Sequence, residues 1–400
     1  MRSSDADTAA PLTRRWPRSL LRPDVFVLWV VLVVATLVSY RSLPHAYFMG
    51  SWGIFPNAAR ILFAPGAAGG FHLYHVRPDY QFGPVSTLVA APLAHVRLHT
   101  SKLLASLLLT LAGLFLVSVI AGVTPEGAGP VRRGPLLTGG LLVMPVWVSL
   151  SMVSGHLDDV LALGFGVFGV LQMRRGNPVW AACLLALAVD SKPWALGFAV
   201  ALLALPRPSW LRGALTWAAV VAVAWVPFFL VEPRTVDALR FRLAISQGSL
   251  LRLLDPMGGP LPVWVRPAQL LLAAAVGVVV VRAGLVPAAL LATVAARILL
   301  DPEIFAYYTA GAVLVAFLAD RATSQRVPWF TLSAVVLLWL PAYFPHQTDW
   351  NDLAKWMRLL WATGTLLTLV VLARPGIRHR NPSDVSHEPA EEKAPSAPAV

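Results

Sequence analysis

Charge is what this chain has least of. Of 400 residues only 13% are charged and 57% are hydrophobic, with a mean hydropathy of +0.67. At that ratio too few polar side chains remain to cover a soluble domain of this length. Acids are scarcer still, with 20 Asp and Glu against 32 Lys and Arg, a net charge of +12. The surplus arginines stand singly or in pairs at the ends of apolar runs, which is where topology anchors sit, so nucleic acid is not an expected partner. The single cysteine, Cys183, lies in an apolar run and leaves no disulfide framework or thiolate metal site. The first apolar run is long and lacks a small-residue cleavage site, so it reads as a retained span rather than a signal peptide. The runs do not alternate, which excludes a β-barrel, and no internal repeat suggests an inverted-repeat transporter.

What is present is a succession of apolar runs, and these predict an all-α polytopic membrane protein. Candidate spans lie at Val25–Tyr40, Lys102–Gly122, Pro135–Val153, Asp158–Met173, Pro178–Val189, Pro193–Leu205, Ala214–Val231, Val263–Val281, Leu285–Leu300, Ile304–Leu318, Val327–Phe344 and Ala354–Ala373. That makes about twelve, several of them shorter than the roughly 20 residues a span prefers. Residues 23–373 form the transmembrane domain, flanked by tails at 1–22 and 374–400 that are expected to be disordered. If the spans alternate, Arg14, Arg15, Arg18 and Arg22, Arg132 and Arg133, Arg174 and Arg175, Arg207 and Arg212, Arg282, Arg321 and Arg326, and Arg374, Arg378 and Arg380 share one face. The positive-inside rule makes that face cytoplasmic, with both termini inside a bacterial plasma membrane. The arginine- and alanine-rich composition suits a high-GC genome.

The other face collects the mid-chain acids and histidines together with the two longest loops, 41–101 and 232–262. Long loops carry function more often than short ones. The first is expected to hold interfacial helices at Phe55–Phe63 and Val85–Val96, and the second an amphipathic helix near Val236–Ala244. Arg234, Arg240, Arg242 and Arg252 on this side run against the topology rule, and anionic lipid phosphate would account for them.

Gly155-His156-Leu157-Asp158-Asp159, wedged between two apolar runs, is the strongest functional signal. Ionisable groups beside a span are costly and default to a functional role. Asp158 and Asp159 open a helix, where the plain reading is a cap pair. The alternative is a general base or, with His156, a site for a divalent cation, the one cofactor these residues suggest. Lys192, in Asp190-Ser191-Lys192-Pro193, is either a snorkelling anchor or a phosphate ligand. Arg297 is either the local partner of Asp301, one turn on, or a second phosphate clamp, with Tyr307 and Tyr308 as stacking surfaces. Asp79 is the only acid between Asp24 and Glu126, either an ordinary turn residue after Pro78 or a second candidate base, with Gln81 beside it.

A first span followed by a long outer loop, Ala58–Leu62 with Tyr74, the Gln81–Pro84 element, Gly155–Asp159, Ser191-Lys192-Pro193-Trp194, and Asp301-Pro302 with Tyr307-Tyr308 together resemble the GT-C superfamily of membrane glycosyltransferases. The nearest likeness is to glycosyltransferase family 87, the polyprenol-phosphate-mannose-dependent mannosyltransferases of actinobacteria, over most of residues 25–373. The resemblance implies a GT-C-like fold and transfer of a sugar, mannose first, from a polyprenyl-phosphate donor to a cell-envelope lipid or glycan on the outer face. It implies catalytic roles for Asp158, Asp159 or Asp79 and substrate contacts from His156, Lys192, Arg297, Tyr307, Tyr308 and Gln81. The family usually places an acid just after the first span; here Tyr40–Asn57 holds none, and Ser51 stands near that position. A transporter or lipid flippase, and a non-catalytic protein of the same fold, are the readings from other classes.

Overall fold

The computed structural model describes residues 48–66, 68–123, 134–241, 243–303, 305, 307–323, 327–343 and 348–374, with positions 27, 30, 31, 34 and 38 of the first apolar run. The expected first span is helical at those five positions and otherwise lies outside the described residues, as do nearly all of both tails. The described chain is helical throughout. Its sole β-type pairing is one isolated bridge between Ala244 and Pro260.

The first long loop holds α1 (Ile54–Leu62), α2 (Leu73–Val76) and α3 (Pro84–Ala90), followed by a 3-10 turn at Ala91–Leu93. The interfacial helix expected to run to Val96 therefore breaks at Pro92, whose missing N–H cannot extend the ladder. The bundle follows with α4 (Leu98–Ala121), α5 (Gly134–Val148), α6 (Leu157–Arg174) and α7 (Pro178–Ser191). A 3-10 helix at Pro193–Ala204 leads into α8 (Arg207–Val231). The second long loop carries α9 (Val236–Arg240), shorter than the expected amphipathic helix because the chain turns extended at Phe241. Next come α10 (Val265–Arg282), α11 (Ala288–Leu299), α12 (Tyr308–Ala322), α13 (Trp329–Ala334) and α14 (Thr348–Leu372).

Among the described residues, five helices are long and apolar enough to cross a membrane: Leu98–Ala121, Leu137–Ser154, Arg207–Val231, Val265–Arg282 and Asp352–Leu372. α6 matches α10 in length at 18 residues but carries Asp158, Asp159 and Arg174, while Pro178–Ser191, Pro193–Ala204, Ala288–Leu299 and Trp329–Trp339 are shorter. Pro193–Ala204 makes up length by its 3-10 winding, which at ~2.0 Å per residue reaches about 24 Å rather than the ~18 Å of an α-helix.

Burial sorts these elements. In α12 every residue from Thr309 to Asp320 is buried, and α11 is buried from Ala288 to Ile298. A helix apolar on all sides and enclosed on all sides is the centre of a bundle. By contrast α8 buries only Gly213 and Phe228, and presents Leu211, Leu215, Val223 and Leu230 outward. An apolar helix without protein cover belongs against lipid.

The bundle has two distinct ends. At one, Arg321 donates to the carbonyls of Ala121 (3.3 Å) and Val123 (2.7 Å), gathering the ends of α4 and α12. At the other, the first long loop is pinned down. The Met49, Gly50 and Ser51 amides donate to the carbonyls of Met152, Val153 and Ser154 at 2.9–3.0 Å. The Gly83 amide and the Ser86 hydroxyl both donate to the Ser191 carbonyl, at 2.9 and 3.0 Å. Gly83 is obligatory there, since a Cβ would stand 1.9 Å from the Asp190 carbonyl oxygen.

Candidate functional site

The site grows from an irregular helix end. Pro145 removes one rung from α5, and the last turn, Ser149–Ser154, widens to π geometry before Gly155 turns left-handed at φ +67°. A Cβ on Gly155 would meet Met49 Sδ at 2.8 Å, so glycine meets both the backbone and the packing requirement. The reversal delivers His156 and the first turn of α6 into the interior. His156, Asp158 and Asp159 are all buried, at 8%, 1% and 4% exposure.

The two acids are not a cap pair. Asp158 Oδ1 accepts from the Asp159 amide (3.0 Å) and faces His156 Nδ1 (3.2 Å), while Oδ2 accepts from the Lys192 ammonium. Asp159 Oδ1 accepts from Trp194 Nε1 (3.1 Å) and from Arg297 Nη1 (3.4 Å). Its Oδ2 has no hydrogen-bond partner and lies 3.6 Å from Lys192 Nζ. Lys192 is therefore a buried ion-pair member and not a snorkelling anchor. Arg297 makes its expected local pair, Nε donating to Asp301 Oδ2 at 3.1 Å, and its guanidinium also reaches Asp159, a contact the sequence does not suggest. Its flat face lies between the rings of Trp194 (4.5 Å) and Tyr308 (4.0 Å). Tyr307 stacks on the His156 imidazole with centroids 3.7 Å apart.

These groups border one cavity of about 440 Å³. His156, Asp158, Lys192, Arg297, Tyr307, Tyr308, Asp79 and Gln81 all line it, so the first long loop and four separate stretches of the bundle meet there. Asp159 stands one layer behind, against the same cations. The rest of the wall is largely apolar, with Ile54, Phe82, Leu196, Trp225, Leu270 and Ala273. Asp79 sits at the rim, 42% exposed, and both its oxygens are taken by Arg77 at 2.9 and 2.7 Å. That bidentate guanidinium contact holds the Asp79 carboxyl below its usual carboxylate range. Ser51, where the resemblance looks for an acid, pairs by its backbone with Ser154 and leaves no carboxylate among residues 48–57.

His156, Asp158 and Asp159 each offer an atom within 4.8 Å of one another, close enough to converge on a metal ion. The same carboxylates already face the ammonium of Lys192 and the guanidinium of Arg297. A divalent cation would share their space and repel both, so the donor set does not fit a resident metal.

Three further residues take part without an individual role that the sequence suggests. Trp194 is legible only as part of a motif, since its indole bond to Asp159 spans 35 residues of sequence. Gln269 donates to the Leu300 carbonyl at 2.9 Å and gives no sequence signal beyond a lone amide in an apolar run. Arg266 lines the cavity, and its sequence signal is the one it shares with Arg234 to Arg252, a basic residue on the side that should be poor in them. Of those arginines, Arg242 lies outside the described residues and Arg252 donates to the Pro256 carbonyl at 2.7 Å. Comparison with protein-family models, with curated proteins and with solved structures finds no match to this chain.

Proposed function

We propose that this protein is a membrane glycosyltransferase that moves a sugar, mannose first, from a polyprenyl-phosphate donor to a hydroxyl of a cell-envelope lipid or glycan. The observation that carries the reading is the cavity, in which a hydrogen-bonded His–Asp pair, two cations and stacked aromatic rings meet an apolar wall. Within this reading the cavity end of the bundle faces outward, both termini lie inside, and the shorter apolar segments complete a set of about twelve spans by re-entering between the long ones.

The chemistry assigns roles by which atoms are free. Both Asp158 oxygens are engaged, so Asp158 orients rather than abstracts. With Nδ1 held by Asp158, the remaining imidazole nitrogen of His156 has no hydrogen-bond partner among the described residues and serves as general base. In a single displacement the acceptor oxygen forms a bond to the anomeric carbon as the bond to the lipid phosphate breaks. The hydroxyl proton passes to His156, and the phosphate leaves with both electrons toward Lys192 and Arg297. Asp159 holds Arg297 and Trp194 in place. Tyr307 and Tyr308 offer rings to the sugar, and the apolar wall accepts the first isoprene units.

The test is transfer of radiolabel from polyprenyl-phosphate mannose to a cell-envelope lipid extract by purified protein. His156→Ala and Asp158→Asn should each lower transfer by about 10²–10⁴-fold in protein that still folds. Label moved equally by both variants removes the assigned base and returns Asp79 as the candidate. Absence of transfer by the unaltered protein, with lipid movement across vesicles instead, would favour a flippase.

A further inference from the structure

The cavity contains a cation that the transfer chemistry does not use. Lys192 is met by Asp158 and Asp159, Arg297 by Asp159 and Asp301, and Arg77 at the rim by Asp79. Arg266 lines the same cavity and has no hydrogen bond, ion pair or ring contact to any described residue of the chain. It is partly buried in the first turn of α10, beside Pro267, where the positive end of the backbone dipole adds to its own charge. The described residues supply no anion beside it, so its donors stand free for a ligand in the cavity.

We infer that Arg266 is a binding site for a phosphate group carried on a lipid. The ligand class follows from three features. The guanidinium is a planar donor fork matched to phosphate oxygens. The wall beside it, Phe241, Leu243, Leu270 and Ala273, is apolar and suits hydrocarbon rather than a free ion. The residue lies at the start of a helix long and apolar enough to cross the membrane, at the depth where lipid headgroups meet water. Arg266 meets the phosphate of the bound lipid, while Lys192 and Arg297 keep their role toward the oxygen that leaves in the transfer step. This deepens the transferase reading by giving its lipid substrate a recognition residue, but it is tested without sugar transfer.

The experiment measures binding by isothermal calorimetry in detergent for the full-length protein and for Arg266→Ala. Three probes are used: a polyprenyl phosphate without sugar, the matching neutral polyprenol, and phosphatidylglycerol. Arg266→Ala should weaken whichever phosphate lipid binds by about tenfold or more and leave polyprenol binding unchanged. Loss confined to polyprenyl phosphate assigns the donor as its source; loss confined to phosphatidylglycerol assigns a membrane diester. The variant should unfold at the same temperature as the unaltered protein, because no contact within the chain is lost. Equal binding of both phosphate lipids by the two proteins overturns the inference, as does an equal loss of polyprenol binding or no phosphate-lipid binding at all. Failed sugar transfer with intact, Arg266-dependent binding would instead overturn only the transferase reading.

Discussion

Two buried acids at opposite ends of the bundle teach what separates a structural carboxylate from a working one. Asp320, near the end of α12, is buried and fully used. Its Oδ1 accepts from the Phe330 amide (3.2 Å), and its Oδ2 from the Thr331 amide (2.8 Å) and hydroxyl (2.7 Å). It caps the start of α13 from a neighbouring helix, and its neighbour Arg321 turns Nη2 to backbone carbonyls. Asp158 is as deeply buried, but beyond the one local amide of Asp159 its partners are the side chains of His156 and Lys192, and both line a cavity. Burial alone therefore marks neither residue as functional. The distinction lies in whether the partners are committed to backbone or stand free to meet a ligand.

That contrast can be broken by substitution. The largest effect on stability should come from Lys192→Met, which leaves Asp158 buried without its counter-charge. Removing one partner of a buried pair costs about 3–5 kcal/mol, and a thermal or denaturant midpoint in detergent will read it. A midpoint within a degree of the unaltered protein would mean that the pair is solvated and that the cluster is not a closed ionic network. A smaller loss is expected from Asp320→Ala, about 1–3 kcal/mol for an unsatisfied helix start, with sugar transfer per folded molecule unchanged. Reduced transfer in that variant would blur the distinction between the two ends. The smallest effect is none: chelation with EDTA should leave transfer unaltered, because Lys192 and Arg297 occupy the charge role that a divalent ion would fill. Loss of transfer restored by magnesium or manganese would place a metal among the His156, Asp158 and Asp159 donors after all.

Much of the candidate site is legible in the amino-acid sequence. Asp158, Asp159, Lys192 and Arg297 stand out because a charged group at the edge of an apolar run is expensive and must have a reason. Arg297 and Asp301, one helical turn apart, can be paired by spacing alone. Other pairings have no such local signature. Lys192 meets Asp158 across 34 residues and Arg297 meets Asp159 across 138, and one carboxylate is a sequence-level equal of the other. Element lengths are blurred for a similar reason. Hydropathy reports that Pro193–Leu205 is apolar, but not that it winds as a 3-10 helix, since side-chain composition scarcely separates the two windings.

The sequence by itself determined that this is a helical membrane protein, that its acids and histidines gather in particular loops and span ends, and which polar residues demanded an explanation. These follow from transfer energetics, which act residue by residue and need no partner. Only the tertiary structure decided which charges neutralise one another, that the first long loop is pinned to the bundle at Gly83 and Ser191, and that Arg266 stands beside an apolar wall with no partner among the described residues. Charge compensation is a property of distances between distant parts of the chain, and those distances exist only once the helices have packed.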